Sequence, residues 1–182
     1  EGLFRKQRLL DILKNFICFS NNGKETVKIL AGYHQYFAVK KAIESTRNAT
    51  LTDGKGGVFW HTQGSGKTLT MVWLSQWILG TMPPARVLIV TDREELDDQI
   101  KKTFGGMDQK VVRTTSGRDL IERLNMAEDR LLCSLVHKFG GSTKGKDDKA
   151  FEAFIKELEA QPSQTMGELF VFVDECHRTQ GG

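Results

Sequence analysis

The run Thr62-Gln63-Gly64-Ser65-Gly66-Lys67-Thr68 constrains this chain more than any other stretch of its 182 residues. It stands between a short apolar run, Val58-Phe59-Trp60, and a segment from Lys67 to Leu79 with helical patterning. A phosphate chain carries several negative charges that must be gripped without steric crowding. Such a loop needs glycines that let the backbone approach, amide N–H groups that converge, and a helix N-terminus behind them. Lys67 supplies a mobile cation for the β- and γ-phosphates, and the Thr68 hydroxyl is a hard oxygen suited to Mg2+. In the pattern G-x-x-x-x-G-K-[ST] the first glycine falls where this chain has His61, so the strict motif is incomplete. The blander alternative is a glycine-rich turn capping a helix; the strand-loop-helix context favours phosphate.

Around this loop, short apolar runs alternate with helical segments. Arg86 to Thr91 precedes Glu94 to Phe104, and Val111 to Thr115 precedes Asp119 to Met126. The alternation predicts an α/β fold, a parallel sheet flanked by helices. Leu131 to Val136 and Leu169 to Val173 are apolar throughout and are expected as central parallel strands buried on both faces. With residues 58–60, 86–91 and 111–115 they make five strands of one lobe. A polar insertion spans residues 140–149 and leads into a helix through Phe151, Phe154, Ile155 and Leu158.

Upstream, Leu9, Leu10, Leu13, Phe16 and Ile17 recur at helical spacing, followed by a turn at residues 20–24 and a strand-like run, Val27 to Leu30. A second helix is expected from Tyr33 to about Arg47, with Tyr36, Val39 and Ile43 on its inner face. The Asn48-to-Gly57 segment, with Asp53-Gly54 and Gly56-Gly57, ends it.

The second chemical signal is Leu169-Phe170-Val171-Phe172-Val173-Asp174-Glu175, an apolar strand ending in adjacent carboxylates. Beside a phosphate loop, the first acid can order Mg2+ and the second can position or deprotonate water. Asp174 is assigned to the metal and Glu175 to the water. Acidic pairs are also common at surface turns, and it is the pairing with the phosphate loop that lifts this one. Cys176 and His177 do not suggest a thiol nucleophile, because neighbours on an extended strand end point to opposite sides. His34, His61 and His137 are read as packing or hydrogen-bonding residues.

Composition narrows the class. Apolar residues make up 39% and charged ones 27%, with only 3 prolines, which excludes disordered and collagen-like chains. The apolar runs fall far short of the roughly 18 residues of a membrane helix, so no membrane association is expected. Cys18, Cys133 and Cys176 are widely spaced, against a disulfide framework and a four-cysteine zinc site, so the cytoplasm is the expected compartment. The net charge of +3 is small, but it divides unevenly: residues 1–91 hold 12 Lys/Arg against 5 Asp/Glu, leaving the second half acidic. A basic first half could meet phosphate or simply be a solvated surface.

Taken together, Gln63-Gly64-Ser65-Gly66-Lys67-Thr68 and Asp174-Glu175-Cys176-His177 resemble the DEAD/DEAH-like superfamily 2 helicases and translocases. Tyr33-His34-Gln35-Tyr36-Phe37-Ala38-Val39, the Trp60-His61-Thr62-Gln63 lead-in and the segment from Thr91 to Gln99 narrow the resemblance. From about Leu9 to Gly182 the chain resembles the motor (R) subunit of type I restriction endonucleases, where a histidine in the first glycine's place is usual.

The resemblance implies a RecA-like P-loop NTPase lobe with a short N-terminal helical and strand extension. Residues 1–32 would be a connecting segment, the end of an interdomain linker, and 33–182 the first motor lobe, truncated after the acid-bearing Walker B strand. It implies ATP and Mg2+ as cofactors. Gln35 would recognise adenine, with Tyr33 or Tyr36 packing near the base; Thr62, Gln63, Gly64, Ser65, Gly66, Lys67 and Thr68 would hold the phosphates. Lys67 and Glu175 would be catalytic, Thr68 and Asp174 metal ligands, and Arg93 and Lys138 contacts to the DNA backbone. His177 and Arg178 would lie near the cleft. The implied partners are double-stranded DNA and the modification and specificity subunits, and cleavage would follow ATP-driven translocation. The nuclease signature expected upstream is not found in residues 1–32. A P-loop ATPase or kinase that does not act on DNA remains the alternative reading.

Overall fold

The computed structural model describes residues 4–21, 24–62, 64–91, 100, 103–104, 110–126, 128–135 and 167–174. Helix α1 (Lys6–Asn15) ends at Phe16, whose backbone leaves the helical region at φ −127°. Strand β1 (Ile17–Asn21) then pairs antiparallel with β2 (Thr26–Leu30), Ile17 facing Leu30. The apolar spacing predicted a helical face running through Phe16 and Ile17. Instead Ile12 and Phe16 are buried, while Leu10 and Leu13 stay exposed. The spacing matched a helix, but the ladder partner at Thr26–Leu30 claims Ile17 for a strand.

Helix α2 (Tyr33–Thr50) buries Tyr36, Val39 and Ile43, the face expected of it. After the glycine loop come α3 (Lys67–Thr81), β3 (Arg86–Thr91), β4 (Val112–Arg113), α4 (Gly117–Asn125), β5 (Leu131–Leu135) and β6 (Leu169–Val173). The last four strands form a parallel sheet in the order β4-β5-β3-β6, flanked by helices, which is the predicted α/β arrangement. Strand β5 is buried at every position, as a central parallel strand should be.

Two strand expectations are corrected. The apolar run Val58-Phe59-Trp60 forms no strand, and Val58 and Trp60 are more than four-fifths exposed at 81% and 84%. Among the described residues β6 is an edge strand: β3 covers one of its edges, no described strand covers the other, and Val171 and Val173 are about half exposed. The two departures have one cause. A strand is defined by its hydrogen-bonded neighbour, and no described strand lies between these segments.

The main core joins α2, α3 and the sheet. Helix α3 is apolar on nearly all sides, the pattern of a buried helix, and Val72, Trp73 and Ile78 are almost wholly covered. Each such side chain contributes about 1.5–3 kcal/mol relative to exposure. The Arg47 guanidinium lies 5.1 Å over the Trp77 ring and ties α2 to α3. Ile12, Phe16, Cys18 and Ala31 belong to the same core, with the Phe16 ring 4.8 Å from Tyr36 and 6.1 Å from Trp73. Burial pushes the Cys18 thiol up to about 11.

Two arginines close the helix ends at the start of the sheet. Arg86 donates to the carbonyls of Arg123, Leu124 and Asp129, and Arg130 donates to Leu79 O at 2.9 Å and Ala85 O at 3.1 Å. The C-terminal carbonyls of α4 and α3, which have no partner within their helices, are thereby satisfied by cations suited to that end of the dipole.

Candidate nucleotide-binding site

Connectivity decides where the glycine loop lies. Helix α3 has 15 residues and so runs about 22 Å, close to the roughly 20 Å of β3, against which it packs. Residues 82–85 link the end of α3 to the start of β3. The N-terminus of α3, with the loop before it, is therefore at the carboxyl end of the strands. Asp174 is at that same end: it follows β6, and its N–H donates to Val90 O at 2.9 Å. In open α/β sheets this is the end at which ligands bind.

The loop is shaped by two glycines in the left-handed region, Gly64 at φ +81° and Gly66 at φ +77°. Gly66 is also close to another side chain, since a Cβ there would collide with Gln35 Nε2. Within the loop the Ser65 N–H donates to Thr62 O at 3.3 Å, and the Gly66 carbonyl accepts from Thr70 N at 3.2 Å to begin α3. The Lys67 ammonium bends back onto the loop's own carbonyls, donating to His61 O at 3.0 Å and Thr62 O at 3.4 Å. Thr68 is buried in the first turn of the helix.

The first turn of α2 grips this loop from outside. Gln35, only 6% exposed, accepts the Gly32 N–H at its Oε1 at 2.8 Å, as in one half of a capping box. Its Nε2 donates to Ser65 O at 3.1 Å and Gly66 O at 3.4 Å. These partners fix the amide's orientation, because a backbone N–H requires the oxygen and carbonyls require the nitrogen. His34 Nε2 is 3.0 Å from the same Ser65 carbonyl and must carry its proton there. The His34 ring also lies 5.6 Å from that of His61, which in turn is 4.4 Å from Phe59.

A cleft of about 590 Å³ opens beside the loop, lined by His34, Trp60, His61, Thr62, Gly64 and Ser65, a size suited to a small molecule. A larger trough of about 980 Å³ adjoins it, sharing His34, Trp60 and His61, and runs between α2, residues 56–61 and residues 168–172. The chemistry is at the smaller cleft, because the glycine loop lines it.

The residues fit a nucleotide phosphate with its cation. Ser65 Oγ is buried and makes no hydrogen bond among the described residues, and Gly64 faces open space where a phosphate oxygen could approach. Among the described residues no group of three or more His, Cys, Asp and Glu side chains could hold a metal by itself. That suits Mg2+, which takes one or two protein oxygens and completes its shell with phosphate oxygens and water. Thr68 and Asp174 are the described oxygen donors of the two motifs.

The sequence model of the SWI2/SNF2 ATPases matches residues 34–182. The chain belongs to the SWI2/SNF2 ATPase family. Within that family it is similar over its whole length to the type I restriction enzyme HindI endonuclease subunit of Haemophilus influenzae, at 33% identity, covering 17% of that protein. It is similar at 31% identity to the putative type I restriction enzyme MjaIXP endonuclease subunit of Methanocaldococcus jannaschii, again along all of this chain and 16% of the relative. A Staphylococcus aureus type I restriction enzyme endonuclease subunit is 29% identical, with 100% of this chain and 18% of that subunit covered. The motif resemblance to type I restriction endonuclease subunits is thus borne out, and the chain spans about a sixth of the length of these relatives.

Of the residues singled out in the sequence of this SWI2/SNF2 ATPase, the structure brings Gln35, Ser65, Gly66 and Lys67 together at one loop, Gln35 bonded to the Ser65 and Gly66 carbonyls and Lys67 to those of His61 and Thr62. Thr62, Gly64 and Thr68 flank it, and Asp174 stands at the same end of the sheet. Gln63, Arg93, Lys138 and Glu175 lie outside the described residues, as do Cys176, His177, Arg178 and the 140–149 insertion. His34, read from the sequence as a packing or hydrogen-bonding residue, makes such a bond, and its partner is the loop itself. Its place beside Gln35 on one helical turn was the available signal.

Proposed function

We propose that this chain is the ATP-binding first motor lobe of an ATP-dependent double-stranded DNA translocase. The whole protein would be a cytoplasmic type I restriction enzyme that assembles with modification and specificity subunits and cleaves DNA after translocation. The observation that carries the reading is the glycine loop at the N-terminus of α3, at the same sheet end as Asp174.

In this reading the amides of the loop and the α3 N-terminus hold the β- and γ-phosphates, and Lys67 leaves the His61 and Thr62 carbonyls to follow the γ-phosphate. Thr68 and Asp174 would hold Mg2+, which spreads the charge that develops on the transferred phosphoryl group. Glu175 positions the attacking water, Gln35 belongs to the nucleotide site, and Arg93 and Lys138 contact the DNA backbone. Phosphoryl transfer depends mostly on such positioning and electrostatic stabilisation, and a missing arginine finger costs about 10³–10⁵ in rate. With that arginine supplied by a second lobe, as the resemblance to two-lobed motors implies, the 182-residue chain alone should bind nucleotide weakly and turn it over negligibly.

The test is ATP hydrolysis by the intact protein with and without double-stranded DNA. DNA should stimulate the rate, and Lys67→Ala should abolish nucleotide binding while circular dichroism stays native. A rate indifferent to DNA would favour an ATPase with another partner, and unchanged affinity in Lys67→Ala would make the loop merely structural.

A further inference from the structure

The contacts between α2 and the glycine loop converge on a single peptide unit. Ser65 O accepts from two side chains on the first turn of α2, His34 at 3.0 Å and Gln35 at 3.1 Å. In a trans peptide the carbonyl and the following N–H point in opposite directions. A Ser65 carbonyl drawn toward α2 therefore turns the Gly66 N–H away from α2. Without that restraint the unit would be easy to rotate, since glycine populates both signs of φ and Gly66 sits at +77°.

Both ends of this arrangement are built around glycine. A Cβ on Gly66 would strike Gln35 Nε2, and a Cβ on Gly32 would come within 3.0 Å of the His34 ring and 3.4 Å of Gln35 Oε1. Gln35 is buried and fully engaged within the protein: its oxygen takes Gly32 N–H, and its nitrogen serves two loop carbonyls.

We propose that His34 and Gln35 are positioning residues, a two-donor brace that fixes the Ser65–Gly66 peptide so that the loop is set for phosphate before nucleotide arrives. The inference rests on the nucleotide-site reading above and extends it to a residue, His34, that no motif assigns. The His34 arm acts through the phosphate loop and not through the base. Its loss therefore weakens every ligand that carries the phosphates, whatever nucleobase is attached. Each arm is a hydrogen bond to a loop carbonyl, so its removal should cost roughly three- to tenfold in affinity.

The experiment measures binding of ATP, GTP and inorganic tripolyphosphate, each with Mg2+, to the intact protein and to three variants. His34→Phe should weaken all three ligands by the same factor and leave the ratio of ATP to GTP unchanged, and Gln35→Ala should weaken tripolyphosphate as well as ATP. His34→Gln, which keeps an N–H donor at a similar reach, should bind like the wild type. His34 is exposed, so its variants keep the test valid even if Gln35→Ala unfolds. The brace is overturned if His34→Phe binds like wild type, or if Gln35→Ala weakens ATP and spares tripolyphosphate, the signature of base recognition alone. Wild-type protein that binds neither ATP nor tripolyphosphate would remove the nucleotide-site reading itself, and the brace with it.

Discussion

Arg86 shows how one side chain can hold two elements in place. It is 2% exposed at the start of β3, and its guanidinium is shared among the carbonyls of Arg123, Leu124 and Asp129. Burial draws its pKa down, and the nearby Asp129 carboxylate opposes that shift. Arg86→Met should destabilise the protein by about 3 kcal/mol, because the α4 carbonyls would be left buried without donors. For a chain of this size that is a fall of roughly 6–12 °C in melting temperature, readable by calorimetry. Nothing near Arg86 in the sequence announces this role, since its partners stand 37 to 43 residues away. The same holds for His34, whose carbonyl partner is 31 residues distant. Gly64, Gly66, Lys67 and Thr68 were legible for the opposite reason: a phosphate loop is local, and its spacing carries the chemistry.

Among the elements, α1 is fastened to α2 by Arg8, whose guanidinium lies over the Phe37 ring, and by Asp11. Its carboxylate accepts from Asn15 at 2.7 Å, from Tyr36 Oη at 2.9 Å and from Lys40 Nζ at 3.2 Å. Burial works against its ionisation, yet the hydrogen bonds from Asn15, Tyr36 and Lys40 prevail and hold its pKa below the usual 3.8. A carboxylate depressed in the folded state contributes stability above its unfolded value and loses it as pH falls through the folded one. Thermal melts should therefore show the contact at full strength at neutral pH and fading below about pH 4. Asp11→Asn should melt lower than wild type at pH 7, with the gap narrowing as the pH falls below about 4; a gap independent of pH would contradict the assignment. Strand β3 matched its predicted bounds of Arg86 to Thr91, because five of its six residues are buried and its apolar run is continuous. Strand β1 was missed and residues 58–60 were wrongly read as a strand, because sequence period does not reveal whether a ladder partner is present.

At the scale of the whole molecule, the α/β architecture was readable from alternation alone, but the order β4-β5-β3-β6 was not. Residues 169–172 of β6 line the trough of about 980 Å³, with Val171 half exposed and Val58 and Trp60 almost bare across it. A flat apolar edge of this kind invites pairing with another chain. The 182-residue chain on its own should associate with itself as concentration rises, measured by size-exclusion chromatography with light scattering, and Val171→Lys should shift it toward monomer. A wild-type chain that stays monomeric at high concentration would mean that the edge is covered. The tie between α1 and α2 has a different consequence. Tyr36, which holds Asp11, and Gln35, which holds Ser65, are adjacent residues, one peptide bond apart. The pose of the N-terminal helix and the shape of the glycine loop are therefore not independent degrees of freedom. A displacement of α1 from upstream would be felt at the loop through the first turn of α2, which would couple a pull on the N-terminal helix to ligand affinity.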